Sequence, residues 1–112
     1  MRKKPNGEFE TYERQAAICK AFANPTRLHL LDLLSRGERW AAELQRGLGI
    51  SKANLSQHLA ALRSMDLVRA RRASTSVWYT VADPKIWRLL DITRDIYERR
   101  VQNQQAQLLA SH

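Results

Sequence analysis

The residues best suited to chemistry in this sequence lie in the segment SKANLSQHLAALRSMDLV, at positions 51–68. Leu55, Leu59 and Leu62 recur at spacings of three and four, which predicts a helix that buries these leucines. The opposite face carries small and amide side chains, here called the outer strip: Lys52, Ala53, Asn54, Ser56 and Gln57. Amides pair with adenine edges, alanine packs against a thymine methyl group, and serine and lysine reach bases or phosphates. The outer strip therefore suits the major groove of DNA, although an ordinary amphipathic helix with a mildly polar surface is the alternative.

The segment before this helix predicts a partner helix and a tight turn. In ERWAAELQRGLGIS, Trp40, Leu44 and Leu48 recur every four residues and predict a short helix. Gly49 suits the left-handed conformation of a turn, and Ser51 is a preferred helix-capping residue. Residues 39–66 are therefore predicted to form a helix-turn-helix, whose second helix also presents free N–H groups that favour a nearby phosphate.

After the helix-turn-helix, the pattern changes to alternation. In LVRARRASTSVWYTV, two alternating runs flank ASTS, which predicts a two-stranded hairpin over residues 67–82. Arg71 and Arg72, with Arg69, give it a cationic edge that can follow a phosphate backbone. The alternative is a charged edge that deters strand pairing. A basic hairpin next to a helix-turn-helix indicates a winged helix.

The whole chain is predicted to be mainly α with a two-stranded β-hairpin (α+β), in the order α-α-α-α-β-β-α. One domain at residues 8–107 follows a flexible basic arm at residues 1–7 and precedes a frayed tail at residues 108–112. The outer helices, residues 8–23 and 84–107, carry apolar stripes that one small domain cannot fully cover. Leaving them exposed would exceed the apolar patches that monomers tolerate, so we expect a homodimer.

Composition restricts the partners. The 112 residues include 19 Lys and Arg against 11 Asp and Glu, a net charge of +8. Such a charge favours nucleic acid first and an anionic membrane second, unless it serves only solubility. Cys19 is the single cysteine, so no internal disulfide is expected, and the chain shows neither a secretory signal nor a membrane span. These features predict a cytoplasmic protein that is not bound to a membrane.

Three collinear segments between Ala21 and Val81 carry a family resemblance: ANPTRLHLLDLL, AAELQRGLGISKANLSQHLAALRSMDLV and RARRASTSVWYTV. Together they resemble the ArsR/SmtB family of winged-helix transcriptional repressors. The resemblance implies a homodimer built on the first and last helices, binding an inverted-repeat operator in double-stranded DNA. It implies DNA contacts through the outer strip, through Arg71 and Arg72, and at His58. On a helical wheel His58 lies nearer the buried side, so we interpret it as a phosphate or packing residue.

The sequence departs from the metal-sensing members of that family. Trp40 and Ala42 occupy the positions of their paired cysteines, and neither side chain binds a metal. Zinc requires three or four converging ligands. The three histidines, His29, His58 and His112, are isolated in the sequence. The acidic residues of the last helix, Asp91, Asp95 and Glu98, alternate with arginines at the spacing of helix ion pairs. We therefore expect no metal site and no cofactor.

Cys19 has two interpretations. A lone thiol on a dimer-forming helix can be oxidised or can link two subunits. In the interpretation that we favour, it lies in a packed stripe with Tyr12, Ala16 and Ala23, as a small hydrophobic residue. The inducing signal is accordingly open: an oxidant at Cys19, an organic ligand at the dimer interface, or none.

The sequence can be compared with three classes of function: a DNA-binding repressor, an architectural or protein-interaction module, and an enzyme. The sequence favours a DNA-binding repressor. An architectural or protein-interaction winged helix that binds DNA without sequence preference is the alternative. An enzyme is not expected, since no Ser/His/Asp or Cys/His arrangement and no phosphate-binding glycine loop is present.

Overall fold

The computed structural model of the protein describes residues 7–111. Within them the elements are α1 (Glu8–Phe22), α2 (Pro25–Ser35), β1 (Arg39–Trp40), α3 (Ala41–Leu48), α4 (Lys52–Ser64), β2 (Val68–Ala73), β3 (Ser76–Val81) and α5 (Lys85–Ala110). The predicted α+β class, a helix-turn-helix followed by a hairpin, is confirmed. Apart from Gly7, the predicted basic arm lies outside the described residues. The chain forms two compact units, one ending at Ala82 and one beginning at Asp83, and the single-domain assignment stays a prediction.

Side-chain caps fix the starts of α2 and α4. Asn24 Oδ1 accepts a hydrogen bond from the backbone N–H of Arg27 at 3.1 Å, and Pro25 occupies the first helical position. Ser51 Oγ accepts from the backbone N–H of Asn54, also at 3.1 Å. Each cap satisfies a backbone donor that has no partner within its helix. The predicted start of α4 at Ser51 is therefore confirmed.

The sheet has three strands rather than the two predicted, in the antiparallel order β1-β3-β2. Trp40 of β1 pairs with Trp78 of β3, and their rings stack with centroids 6.2 Å apart. The prediction that Trp40 lies in one helix with Leu44 is wrong, because Trp40 is extended and precedes α3. Its backbone N–H donates to the Glu43 carboxylate at 3.2 Å. A two-residue strand is too short to show alternation, and the four-residue spacing to Leu44 resembled a helical repeat.

Leucines form the core that joins α2, α3 and α4. The most deeply buried side chains are Leu30, Leu31, Leu34, Leu44 and Leu62. Leu55 and Leu59 are buried as well, as the helical spacing of α4 predicts. Gly47 permits a close approach of α3 to α2, since a Cβ atom there would lie 2.9 Å from Leu33 Cδ1. This packing holds the leucine face of α4 inward and fixes which residues point outward.

Helix α1 is exposed along most of its length. Every residue from Thr11 to Lys20 is exposed, and only Ala21 and Phe22, in the last turn, are buried. The thiol of Cys19 is exposed in the single chain, so the chain itself does not pack it, and both interpretations of Cys19 stay predictions. The stripe has helical periodicity, but only the last turn of α1 is covered.

Helix α5 starts one residue later than predicted and ends three residues later than the predicted end at Gln107, at Ala110. Residues 108–110 are therefore helical instead of forming the predicted frayed tail. Ile86 and Leu90 are its buried residues. Three apolar side chains remain open, Ile92 at 57%, Ile96 at 61% and Tyr97 at 66% exposure. Among the described residues, no helix combines the length and apolarity needed to cross a membrane.

Candidate nucleic-acid interface

The outer strip lies fully open on α4. Lys52, Ala53, Asn54, Ser56 and Gln57 are all exposed, while the three leucines of the opposite face are buried. The strip occupies the N-terminal half of a 13-residue helix. Because it carries no aromatic or branched side chain, this half of α4 can approach the floor of a major groove, which is about 12 Å wide. The structure thus brings together the five side chains that the sequence singled out on this helix.

A sharp turn presents the N-terminus of α4. Gly49 ends α3 with φ of 65°, in the left-handed region that favours glycine. The chain turns there and enters α4 at the Ser51 cap. The first backbone N–H groups of α4, at Lys52 and Ala53, have no acceptor within the helix and carry the positive end of its dipole. This end of α4 suits a DNA phosphate at the rim of the groove.

The hairpin of β2 and β3 forms the predicted wing. Ala73 pairs with Ser76, so the connection is a two-residue turn, in which Ser74 has φ of 60°. Both turn residues are exposed. An open cleft of about 410 Å³ separates α4 from the wing, with Lys52 and Ser56 on one wall and Thr75 on the other. Polar side chains from two elements therefore face one concave surface.

Arg71 is engaged within the protein. Its Nη2 donates to Glu38 Oε1 at 2.7 Å and its Nε to Glu38 Oε2 at 3.1 Å, a bidentate ion pair. The hydrogen bond from Arg71 holds the pKa of the Glu38 carboxyl below its ordinary value, and the same bond raises the pKa of Arg71. Glu38 lies 33 positions before Arg71, and only the register of the sheet brings them together. Sequence analysis missed Glu38 for that reason.

Arg72 has the opposite environment. It is exposed, and it makes no ion pair among the described residues. Together with Arg63, in the last turn of α4, it lines a concave surface that includes Ala70 and Tyr79. Arg63 was missed because it lies beyond the outer strip in the sequence. Its signal was a cation in the last turn of the helix, which the fold brings beside the wing.

His58 lies at the border between the outer strip and the core. The ring is half-buried, and its Nδ1 accepts a hydrogen bond from Arg27 Nε at 3.1 Å. Burial lowers the pKa of His58, and the positive charge of Arg27 lowers it further. The predicted position near the buried side is confirmed, whereas contact of His58 with DNA stays a prediction.

The stability of the protein should depend on His58 in acid. In the unfolded chain the ring takes up a proton near pH 6.5, but the folded chain resists protonation until a lower pH. The neutral His58 ring therefore contributes fully to the free energy of unfolding above about pH 6.5. This contribution is lost as the pH falls from there through the pKa of His58 in the folded protein. Urea unfolding of the protein and of His58→Gln at a series of pH values measures it. The difference in free energy of unfolding between the native protein and His58→Gln should shrink as the pH falls through that window. A difference that stays constant with pH would contradict a lowered pKa for His58.

The described residues hold no cluster of three or more His, Cys, Asp or Glu side chains placed for a metal ion. In α5, Asp95 Oδ2 lies 3.4 Å from Arg99 Nε, an ion pair of the kind expected from the helix spacing. One of the three acidic residues singled out on the last helix is therefore engaged in an ion pair.

Comparison with known proteins relates this geometry to a family. The sequence profile of bacterial regulatory proteins of the arsR family matches residues 24–70, which include α2, α3, α4 and the start of β2. The nodulation protein NolR of Rhizobium meliloti is 35% identical over 97 residues, covering 87% of this chain and 80% of NolR. A probable mercury resistance operon repressor of Streptomyces lividans is 40% identical over 79 residues, covering 70% of this chain and 63% of that protein.

A solved structure extends the similarity to the fold. It is the solution structure of a homodimeric winged helix-turn-helix DNA-binding domain from Mycobacterium bovis, described as a possible ArsR-family transcriptional regulator. Its chain is 30% identical, with a TM-score of 0.80, over 92% of this chain and 95% of that one. The helix-turn-helix and the wing are therefore found together in a related fold.

Proposed function

This chain belongs to the ArsR family of bacterial regulatory proteins, and on that premise we propose that it is a homodimeric, sequence-specific regulator of transcription. The family and the fold are those of DNA-binding regulators and not of enzymes. The observation that carries the proposal is the outer strip, in which amide, hydroxyl, methyl and ammonium groups are all exposed on one capped helix. These groups can read base edges in the major groove, while the basic wing follows the backbone.

The homodimer is supported by two kinds of observation. The related Mycobacterium bovis domain is described as homodimeric. In this chain, α1 exposes Tyr12 at 58%, and α5 exposes Ile96 and Tyr97 still more. Covering apolar side chains of this size favours association. A two-fold dimer would place two α4 helices about 34 Å apart, one turn of DNA, which matches an inverted-repeat operator.

We propose repression as the regulatory outcome, without the paired cysteines of the metal sensors. The Streptomyces relative is named a probable repressor. Trp40, in β1, and Ala42, in α3, leave no thiolate at the positions of those cysteines. A redox or small-molecule inducer remains part of the proposal, since the thiol of Cys19 is exposed on α1. Peroxide should then weaken operator binding in the protein and not in Cys19→Ser.

Selection from a pool of random duplexes tests the function directly. A specific dimer enriches an inverted repeat whose half-site centres lie about 10 base pairs apart or a multiple of that. An architectural winged helix would bind the pool through charge alone and enrich no palindrome. The selected duplex, here called the operator, is the probe for all further measurements.

Arg72→Ala should weaken the binding of every duplex by a similar factor. Arg72 is exposed beside Arg63 and suits a phosphate, which carries no sequence information. The slope of log affinity against log salt concentration should fall by about one for each protomer, for operator and random DNA alike. Fluorescence anisotropy between low and moderate salt measures both slopes. A loss confined to the operator would instead assign Arg72 to base readout.

A further inference from the structure

Arg27 connects three helices at the inner border of the outer strip. Its backbone N–H is held by the Asn24 cap, which fixes it in the first turn of α2. Its Nη1 reaches the backbone carbonyl of Ala21, near the end of α1, at 3.5 Å. Its Nε donates to Nδ1 of His58, in the middle of α4, at 3.1 Å. One guanidinium group therefore joins the start of α2 to α4.

The Arg27 contact determines which nitrogen of His58 carries the proton. A guanidinium group has only donors and stays protonated, so Nδ1 of His58 must offer its lone pair. The neutral ring then carries its hydrogen on Nε2. No hydrogen bond of the described residues uses Nε2, and none of their buried side-chain nitrogen or oxygen atoms lacks a partner. The Nε2–H group is therefore accessible at the edge of the outer strip.

We propose that Arg27 is a positioning residue for DNA binding, which holds the His58 ring so that its neutral Nε2–H donates to a backbone phosphate oxygen. The inference rests on the proposed function and adds to it a contact between α4 and the DNA backbone. His58 follows Gln57 directly, so a base-reading side chain and a phosphate donor are adjacent on one helix. Asn24 and Ala21 fix Arg27 in turn, so the junction of α1 and α2 sets the orientation of the ring.

Two substitutions of His58 separate the donor from the Arg27 contact. The carboxamide of asparagine reaches the position of Nδ1 and can accept from Arg27, but it offers nothing at Nε2. The longer glutamine places its amide N–H near Nε2 and gives up the acceptor for Arg27. We expect His58→Asn to lose at least about tenfold in operator affinity and His58→Gln to stay within about threefold, since a hydrogen bond to a charged group is worth at least a factor of ten. The reverse order would assign His58 to packing and overturn the proposal.

Arg27→Met tests whether arginine acts through the histidine. In the native background it should lower operator affinity about threefold, since His58→Gln also loses the Arg27 contact, and in the His58→Asn background by less than about 1.5-fold, because no donor remains to be positioned. Arg36→Met, which removes an exposed charge at the end of α2, is the matched control and should behave alike in both backgrounds. Equal losses for Arg27→Met in both backgrounds, with a smaller salt slope, would show that Arg27 contacts DNA itself and would overturn the proposal.

Nitrogen-15 NMR of the His58 ring tests the same point without DNA or mutation. At pH 7.5 the spectrum of the full chain should show Nδ1 unprotonated and Nε2 protonated, and Arg27→Met should shift the two resonances toward exchange averaging. A proton on Nδ1 in the native protein would overturn the proposal. Because this measurement uses free protein, it tests the Arg27–His58 contact separately from the proposed function, which fails if selection enriches no operator.

Discussion

Gln57→Ala is expected to lower operator affinity at least about thirtyfold, while affinity for random duplex changes by less than about twofold. Gln57 is exposed in the centre of the outer strip, and its amide both donates and accepts. A bidentate amide contact to adenine is worth about 1–3 kcal/mol of discrimination, and a dimer makes it in both half-sites. Random DNA is bound mainly through phosphates, which Gln57 does not contact in this account.

The effect of Gln57→Ala is best measured as a ratio of two affinities at one salt concentration. Gln102→Ala, an exposed glutamine on α5, is the matched control and should leave the ratio unchanged. The melting temperatures of both variants should match that of the native protein, because neither position is buried. An equal loss on operator and random duplex would contradict the role of Gln57 in readout.

Ile96→Glu is expected to dissociate the dimer and to lower operator affinity at least about a hundredfold. Ile96 is 61% exposed in the single chain, next to the exposed Tyr97, so the carboxylate is harmless in a monomer. In an apolar interface the same carboxylate would be buried without a partner, at a cost of several kcal/mol for each copy. A monomer also loses the second half-site, whose contribution to avidity is about 10²–10⁴.

Sedimentation equilibrium at micromolar concentration measures the association state of Ile96→Glu. Gln102→Glu introduces the same charge on α5, about 120° around the helix from Ile96, and serves as the control. The control should remain dimeric. A dimer that persists in Ile96→Glu with operator affinity retained would move the interface away from this face of α5.

The local parts of the fold were predictable because their signals lie within a few residues. The caps at Asn24 and Ser51 and the turn at Gly49 depend on neighbouring backbone geometry, and the spacing of the leucines fixed the inward face of α4. The outer strip followed from that spacing without knowledge of the tertiary fold. Periodicity could not reveal β1, since two residues contain no repeat.

The pairs that connect distant segments could not be predicted. Glu38 and Arg71 are 33 positions apart, and Arg27 and His58 are 31 apart. Each pair exists because elements from different parts of the chain pack together, and neither has a sequence signature. The exposure of Cys19 was missed for a related reason: a stripe with helical spacing shows that a helix has an apolar face, but not whether its own chain covers that face.

The central claim, that the outer strip enters the major groove, can be tested on the DNA. Replacing the purines of the operator half-sites with 7-deazapurines removes the N7 acceptors from the major groove and leaves Watson–Crick pairing and the phosphates intact. We predict that this duplex binds at least about tenfold more weakly than the unmodified operator, because amide and ammonium contacts to N7 are lost in both half-sites. An unchanged affinity would contradict the account, because it would show that the protein reads its site without contacts to N7 in the major groove.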